Sequence, residues 1–116
     1  MKVAVIGSRG LTIDNLGDYL PPETTMIISG GARGIDACAR EYAQAHNVPI
    51  REIKPDYARY KRKYAPLQRN QLIIAEADMV LAIWDGQSTG TAGVIERCRE
   101  IGKECRVVRR EKAAAR

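Results

Sequence analysis

Short apolar runs alternate along this chain with stretches whose apolar positions recur every three or four residues, and the alternation predicts strands and helices in turn. The first run, Lys2-Val3-Ala4-Val5-Ile6, stops at Gly7-Ser8-Arg9-Gly10. Ile13, Leu16 and Leu20 then follow at helical intervals up to Pro21-Pro22. The second run, residues 25–29, stops at Gly30-Gly31-Ala32-Arg33-Gly34, after which Ile35, Cys38, Ala39 and Tyr42 mark a helix ending near Asn47. Residues 50–53 read as a third strand, and Pro66 leads into a helix through Ala75. Met79 to Trp84 is a fourth strand, followed by the glycine-rich turn Asp85-Gly86-Gln87-Ser88-Thr89-Gly90-Thr91. Val94, Ile95, Cys98 and Ile101 mark a fourth helix capped by Gly102-Lys103, and residues 105–108 are a last strand.

Strands that alternate with helices form a parallel sheet, so the expectation is an α/β, doubly wound, Rossmann-like sheet of five strands in the order 3-2-1-4-5. Its core is expected from Val3, Val5, Ile27, Ile28, Val80, Leu81, Ile83 and the inner faces of four helices. Residues 1–109 make one domain, and 110–116 is a charged, alanine-rich tail without core pattern. No linker or internal repeat interrupts the chain.

In such a sheet the carboxyl ends of the strands share one edge, and ligands bind where the strand order reverses, here between the strands ending at Ile6 and Trp84. Three glycine-rich turns would meet there. Gly30, Gly31 and Gly34 let a backbone turn sharply and let a ligand approach the main chain, and the first N–H groups of the next helix lack intrahelical partners, which suits an anion. Arg33 adds a cationic fork that matches phosphate. Asp36, in the first helical turn, suits the helix dipole and could accept a bond from a sugar hydroxyl. An ordinary tight turn followed by a first-turn Asp reads the same way. Ser88, Thr89 and Thr91 offer hydroxyls and N–H groups, Gly90 permits close approach, and Gly7, Ser8 and Arg9 close the other side. No GxxxxGK[ST] or GxGxxG occurs, which argues against an ATPase or a nicotinamide dehydrogenase, and no cofactor is expected.

Composition adds less. At 116 residues with a formal charge of +5, the chain is one domain that favours anionic partners without distinguishing a nucleotide from nucleic acid. Cys38, Cys98 and Cys105 lack CxxC spacing, and His46 is the single histidine, so no metal site is expected. A strand pattern directly after Met1, with no apolar leader and no run of membrane-spanning length, points to the cytoplasm and away from a membrane. The segment Tyr57 to Tyr64, with Arg59, Lys61, Arg62, Lys63 and Tyr60 between, reads either as a solvated face or as a surface that stacks and neutralises single-stranded nucleic acid.

Val5-Ile6-Gly7-Ser8-Arg9, Ser29-Gly30-Gly31-Ala32-Arg33-Gly34-Ile35-Asp36, Arg69-Asn70 and Asp85-Gly86 to Gly90-Thr91, in this order over nearly the whole chain, resemble the SLOG superfamily, in particular its small stand-alone YspA/YpsA-related branch. The resemblance implies a Rossmann-like nucleotide pocket, often in a homodimer or higher homo-oligomer. The same superfamily holds the single-stranded-DNA-binding DNA-processing protein A fold and the lonely-guy phosphoribohydrolases, which cleave the base from nucleoside monophosphates. Those enzymes match Arg69, but their Pro-Gly-Gly-x-Gly-Thr-x-x-Glu turn departs here, because Val94 stands where the catalytic Glu belongs and the proline and paired glycines are absent. Asp36, Asp85 and Glu96 are the substitute carboxylates within reach of sequence reasoning. The expected function is binding of a nucleotide or nucleotide-derived ligand, as a sensor or carrier. A phosphoribohydrolase-like N-glycosidase and a single-stranded-DNA-binding protein are the alternatives.

Overall fold

The computed structural model describes residues 1–111. Five strands, β1 (Lys2–Gly7), β2 (Met26–Ser29), β3 (Ile50–Glu52), β4 (Met79–Trp84) and β5 (Cys105–Arg109), form one sheet in the order β3-β2-β1-β4-β5. Every pairing is parallel, as the alternation of elements requires. Residues 3–6 of β1 and 79–83 of β4 are apolar and buried on both faces, the signature of strands central to a covered parallel sheet.

Three α-helices cover the sheet: α1 (Ile35–Ala45), α2 (Tyr64–Glu76) and α3 (Thr89–Ile101). Odd positions of β1 and β4, with Ile27 of β2, meet Ile35, Ala39 and Ala43 of α1 on one face. Even positions, with Ile28, meet Ile73 and Ile74 of α2 and Val94 and Cys98 of α3 on the other. All seven side chains expected in the core, from Val3 to Ile83, are fully buried. Among the described residues, no helix is long and apolar enough to cross a membrane.

The helix expected between β1 and β2 is not formed. In its place stands a single 3₁₀ turn, Leu16–Asp18, within extended coil. Thr12, Asp14 and Asn15 compete with the backbone for hydrogen bonds, and Gly17 adds backbone entropy, so the segment lacks helix-forming residues between its apolar ones. Leu11, Ile13 and Leu16 are buried regardless, packed on the α1 face, and the Ile13 N–H donates to Cys38 Sγ at 3.4 Å. Their spacing satisfied packing rather than helical periodicity. β5 extends one residue past its expected end, and Arg110 turns back to donate to Asn15 Oδ1 at 3.0 Å and to the Tyr19 hydroxyl at 2.9 Å. The start of the expected tail is therefore docked, while 112–116 lie outside the described residues.

Glycine is sterically required where the first two turns meet. A Cβ on Gly34, whose φ is +75°, would stand 2.5 Å from the Arg9 carbonyl oxygen, and one on Gly7 would stand 2.5 Å from both Ile35 Cγ1 and the Ile83 oxygen. The strained backbone together with the clash leads us to expect Gly34→Ala to lose about 1–3 kcal/mol in urea denaturation. Gly90→Ala, at a position with nothing within 4 Å of the added methyl, is the control and should be neutral or stabilising.

Candidate functional site

The three turns leave the carboxyl edge of the sheet side by side and enclose one cleft of about 660 Å³. The first turn is tied to the third by bonds that continue the strand pairing beyond its ends. The Ser8 N–H donates to the Ile83 carbonyl at 3.2 Å, and the Asp85 N–H donates to Ser8 Oγ at 3.3 Å. Ser8 is thereby buried and serves as a clasp at the cleft floor.

Asp85 shapes the third turn. Its Oδ1 accepts the N–H groups of Gln87 and Ser88, both at 2.8 Å, an arrangement that sets Ser88 at the start of α3. The Ser88 carbonyl accepts from Trp84 Nε1 at 3.0 Å, and the Ser88 hydroxyl lies 3.4 Å from that of Thr91 without capping the helix. Thr89, Gly90 and Thr91 belong to the first turn of α3 instead of the loop before it. Ser88, Gly90 and Thr91 line the cleft, whereas Thr89 is exposed and does not. The cleft end of α3 thus presents an N-terminus with no side-chain cap, open space at Gly90 and two hydroxyls. These are the elements of an oxyanion cradle.

Across from it, α2 sends Arg69 inward. Ala65, Arg69 and Ile73 recur every four residues on the buried stripe of this helix, so the guanidinium is carried to the sheet edge with only 7 % of the residue exposed. Its Nη1 donates to the Gly30 carbonyl at 2.8 Å, and its Nε donates to Asn70 Oδ1 at 2.8 Å. The guanidinium occupies the space that a side chain at position 30 would fill, next to the Asp36 carboxylate. Burial pulls the Arg69 pKa below its ordinary value, an effect opposed by the negative charge of Asp36. Asp36, 6 % exposed, turns Oδ2 back to accept the Ala32 N–H at 3.1 Å, which holds the second turn in shape. Burial raises its pKa above 3.8, against the lowering effects of the Ala32 bond and of the Arg69 and Arg9 charges.

Arg9 and Arg33 line the cleft from exposed positions on the first and second turns, and both lie outside the ion pairs formed among the described residues. Gly7 and Gly30 line it as well. Gly31 stands beside the cleft in an adjoining cavity, and Gly34 serves the backbone contact described above. Glu96 is on the outer face of α3, outside the cleft, paired with Arg99 at 3.3 Å. Val94 is in the cleft wall with Ile6, Pro66 and Ile73. Val94 occupies the position that the resemblance assigns to a catalytic Glu, and Asn70 stands in the Arg69-Asn70 motif, but sequence reasoning selects neither as a binding residue; Pro66 and Ile73 look in sequence like any helix or core position. Among the described residues no group of three His, Cys, Asp or Glu side chains could hold a metal ion.

The segment from Tyr57 to Tyr64 runs as successive turns into the start of α2, with Arg59, Lys61, Arg62, Lys63, Tyr57 and Tyr64 exposed and Tyr60 half-buried. A model of the YspA, cpYpsA-related SLOG family matches residues 1–60, which include β1 to β3 and the first two turns. No curated protein and no solved structure matches the chain.

The raised Asp36 pKa has a thermodynamic consequence. The folded chain holds the protonated carboxyl better than the unfolded chain does, so the stability this group contributes is full below pH 3.8 and is lost as pH rises through its folded value. Asp36→Asn keeps an acceptor for Ala32 and carries no charge. Its stability relative to the parent should therefore rise as pH increases above 3.8 and then level off, which urea midpoints collected across that interval will read. A pH-independent difference would contradict this account of Asp36.

Proposed function

The chain belongs to the YspA, cpYpsA-related SLOG family, and on that premise we propose that it binds a nucleotide or nucleotide-derived ligand in the cleft, as a sensor or carrier. The observation that carries this reading is the convergence of the uncapped α3 N-terminus, the Ser88 and Thr91 hydroxyls and the cations Arg9, Arg33 and Arg69 on one cavity. A phosphoryl group at Gly90 and Thr91 would receive helix N–H groups and hydroxyls. A sugar would lie over Arg69 and Asp36, and the apolar wall of Ile6, Pro66, Ile73 and Val94 would accept the less polar part of the ligand. The cavity volume falls within the roughly 300–1,000 Å³ of small-molecule sites.

Binding is favoured over N-glycosidic hydrolysis by what the cleft carboxylates do. Asp36 is turned onto Ala32 and Asp85 onto the N–H groups of Gln87 and Ser88, and the wall position of α3 is the aliphatic Val94. An aliphatic group neither moves a proton nor stabilises a developing sugar cation. Glu96 faces away. We accordingly read Arg69 as a group that orients ligand and turn together.

Calorimetry across nucleoside mono- and diphosphates should give saturable, salt-sensitive binding. Arg33→Ala and Thr91→Val should each weaken it by about tenfold or more, the equivalent of one lost hydrogen bond to a charged group. Absence of heat and of thermal shift for every nucleotide would overturn the reading. Chromatography of the same mixtures should show no free base, and base release dependent on Arg69 would return the enzyme alternative.

A further inference from the structure

The cleft does not end at the second turn. Beyond Gly30 and Ala32 it continues into an adjoining cavity of about 740 Å³, whose own walls are Gly31, Lys54, Pro55 and Tyr57 and which shares Arg9, Arg33 and Arg69 with the cleft. Its lining holds no carboxylate. The Lys54 stem lies over Gly31, where an added Cβ would meet Lys54 Cε at 3.3 Å and the Glu52 carboxylate at 3.5 Å. Glu52 is the acid beside Lys54, yet both bonds it accepts, at 2.7 and 2.9 Å, come from Arg40. Among the described residues Lys54 forms no ion pair, and neither do Arg9 and Arg33. Four cations, Lys54, Arg9, Arg33 and Arg69, line this compartment while the neighbouring acids Glu52 and Asp36 are bonded to Arg40 and to the Ala32 N–H, so the lining carries an excess of positive charge that an anion relieves. Tyr57, 58 % exposed, stands at the rim of this compartment with its ring available to a flat partner.

The α3 cradle lines only the cleft and Lys54 only the adjoining cavity, with Gly30 and Arg69 lining both, so the two are separate places for anionic groups. Building on the nucleotide reading above, we propose that Lys54 and Tyr57 form a second subsite. It selects a nucleotide that carries another phosphoryl group beyond its sugar, held by Lys54, Arg33 and Arg9, with Tyr57 at the rim to stack a second base where the ligand has one. A nucleoside 3′,5′-bisphosphate and a 5′-phosphorylated dinucleotide share this chemistry, and a mononucleotide lacks it.

Calorimetry with AMP, adenosine 3′,5′-bisphosphate and the dinucleotide pApA tests the subsite and separates the two sources of the second phosphoryl group. At least one of the two larger ligands should bind about tenfold or more tighter than AMP, as an added charged hydrogen bond allows. Lys54→Ala should remove that advantage while leaving AMP affinity unchanged, and Tyr57→Ala should reduce it for pApA. Thr91→Val, in the cradle, should weaken all three ligands alike. AMP binding with no gain from a second phosphoryl group, or a gain that survives Lys54→Ala, overturns the subsite and leaves the nucleotide reading standing. Failure of all three ligands to bind overturns both. Circular dichroism of the exposed-site variants should match the parent, since Lys54 and Tyr57 lie outside the core.

Discussion

The backbone contact between the first two turns is the constraint on which the cleft depends. Gly34 lies against the carbonyl groups of Ser8 and Arg9, and Gly7 lies against Ile35 and the Ile83 carbonyl, at separations that no side chain permits. α1 consequently starts directly behind the end of β1, and the second turn is pressed onto the first. The Ser8 bonds to Ile83 and Asp85 extend the same tie to the third turn. Three loops from different parts of the chain form one rim in which the first is pressed against the second and hydrogen-bonded to the third.

Arg69 is the second determinant. A guanidinium brought to 7 % exposure would be costly if left unpaired, and here it is coordinated by the Gly30 carbonyl and Asn70, with Asp36 opposite. The group ties α2, on one face of the sheet, to the second turn, which leads into α1 on the other. It also leaves the cleft with a fixed positive charge at its middle. Asp36 and Asp85, the two cleft carboxylates, are committed to the N–H groups of their own turns. A carboxylate that shapes a loop supports binding. Chemistry on a sugar asks for one aimed at the ligand.

The charge distribution follows from the same division. On the outer surface, acids and bases pair locally, as in Arg40–Glu52, Arg51–Glu76 and Arg99–Glu96. At the rim of the cleft Arg9, Arg33 and Lys54 form no such pairs among the described residues. These rim cations stand close to the α3 terminus that also attracts anions.

The apolar runs alternating with helical spacing determined the five strands and their parallel arrangement, and the doubly wound fold class supplied their order; residues 3–6 and 79–83, apolar at every position, suit strands buried on both faces. The glycine turns were legible for a similar reason: a backbone that must bend sharply at a strand's end leaves few residue types to choose from. The segment from Leu11 to Leu20 was not legible, since its apolar spacing matches a helix and only packing on α1 shows that the side chains are buried without one. Which turn residues reach the cleft was also a tertiary decision. Ser88 and Thr91 face it while Thr89 does not, Glu96 rotates to the surface, and Lys54 and Tyr57 join Arg9 and Arg33 across large sequence separations. Local sequence sets what a backbone segment can do, but the direction in which a side chain points relative to distant groups is set by how the elements pack.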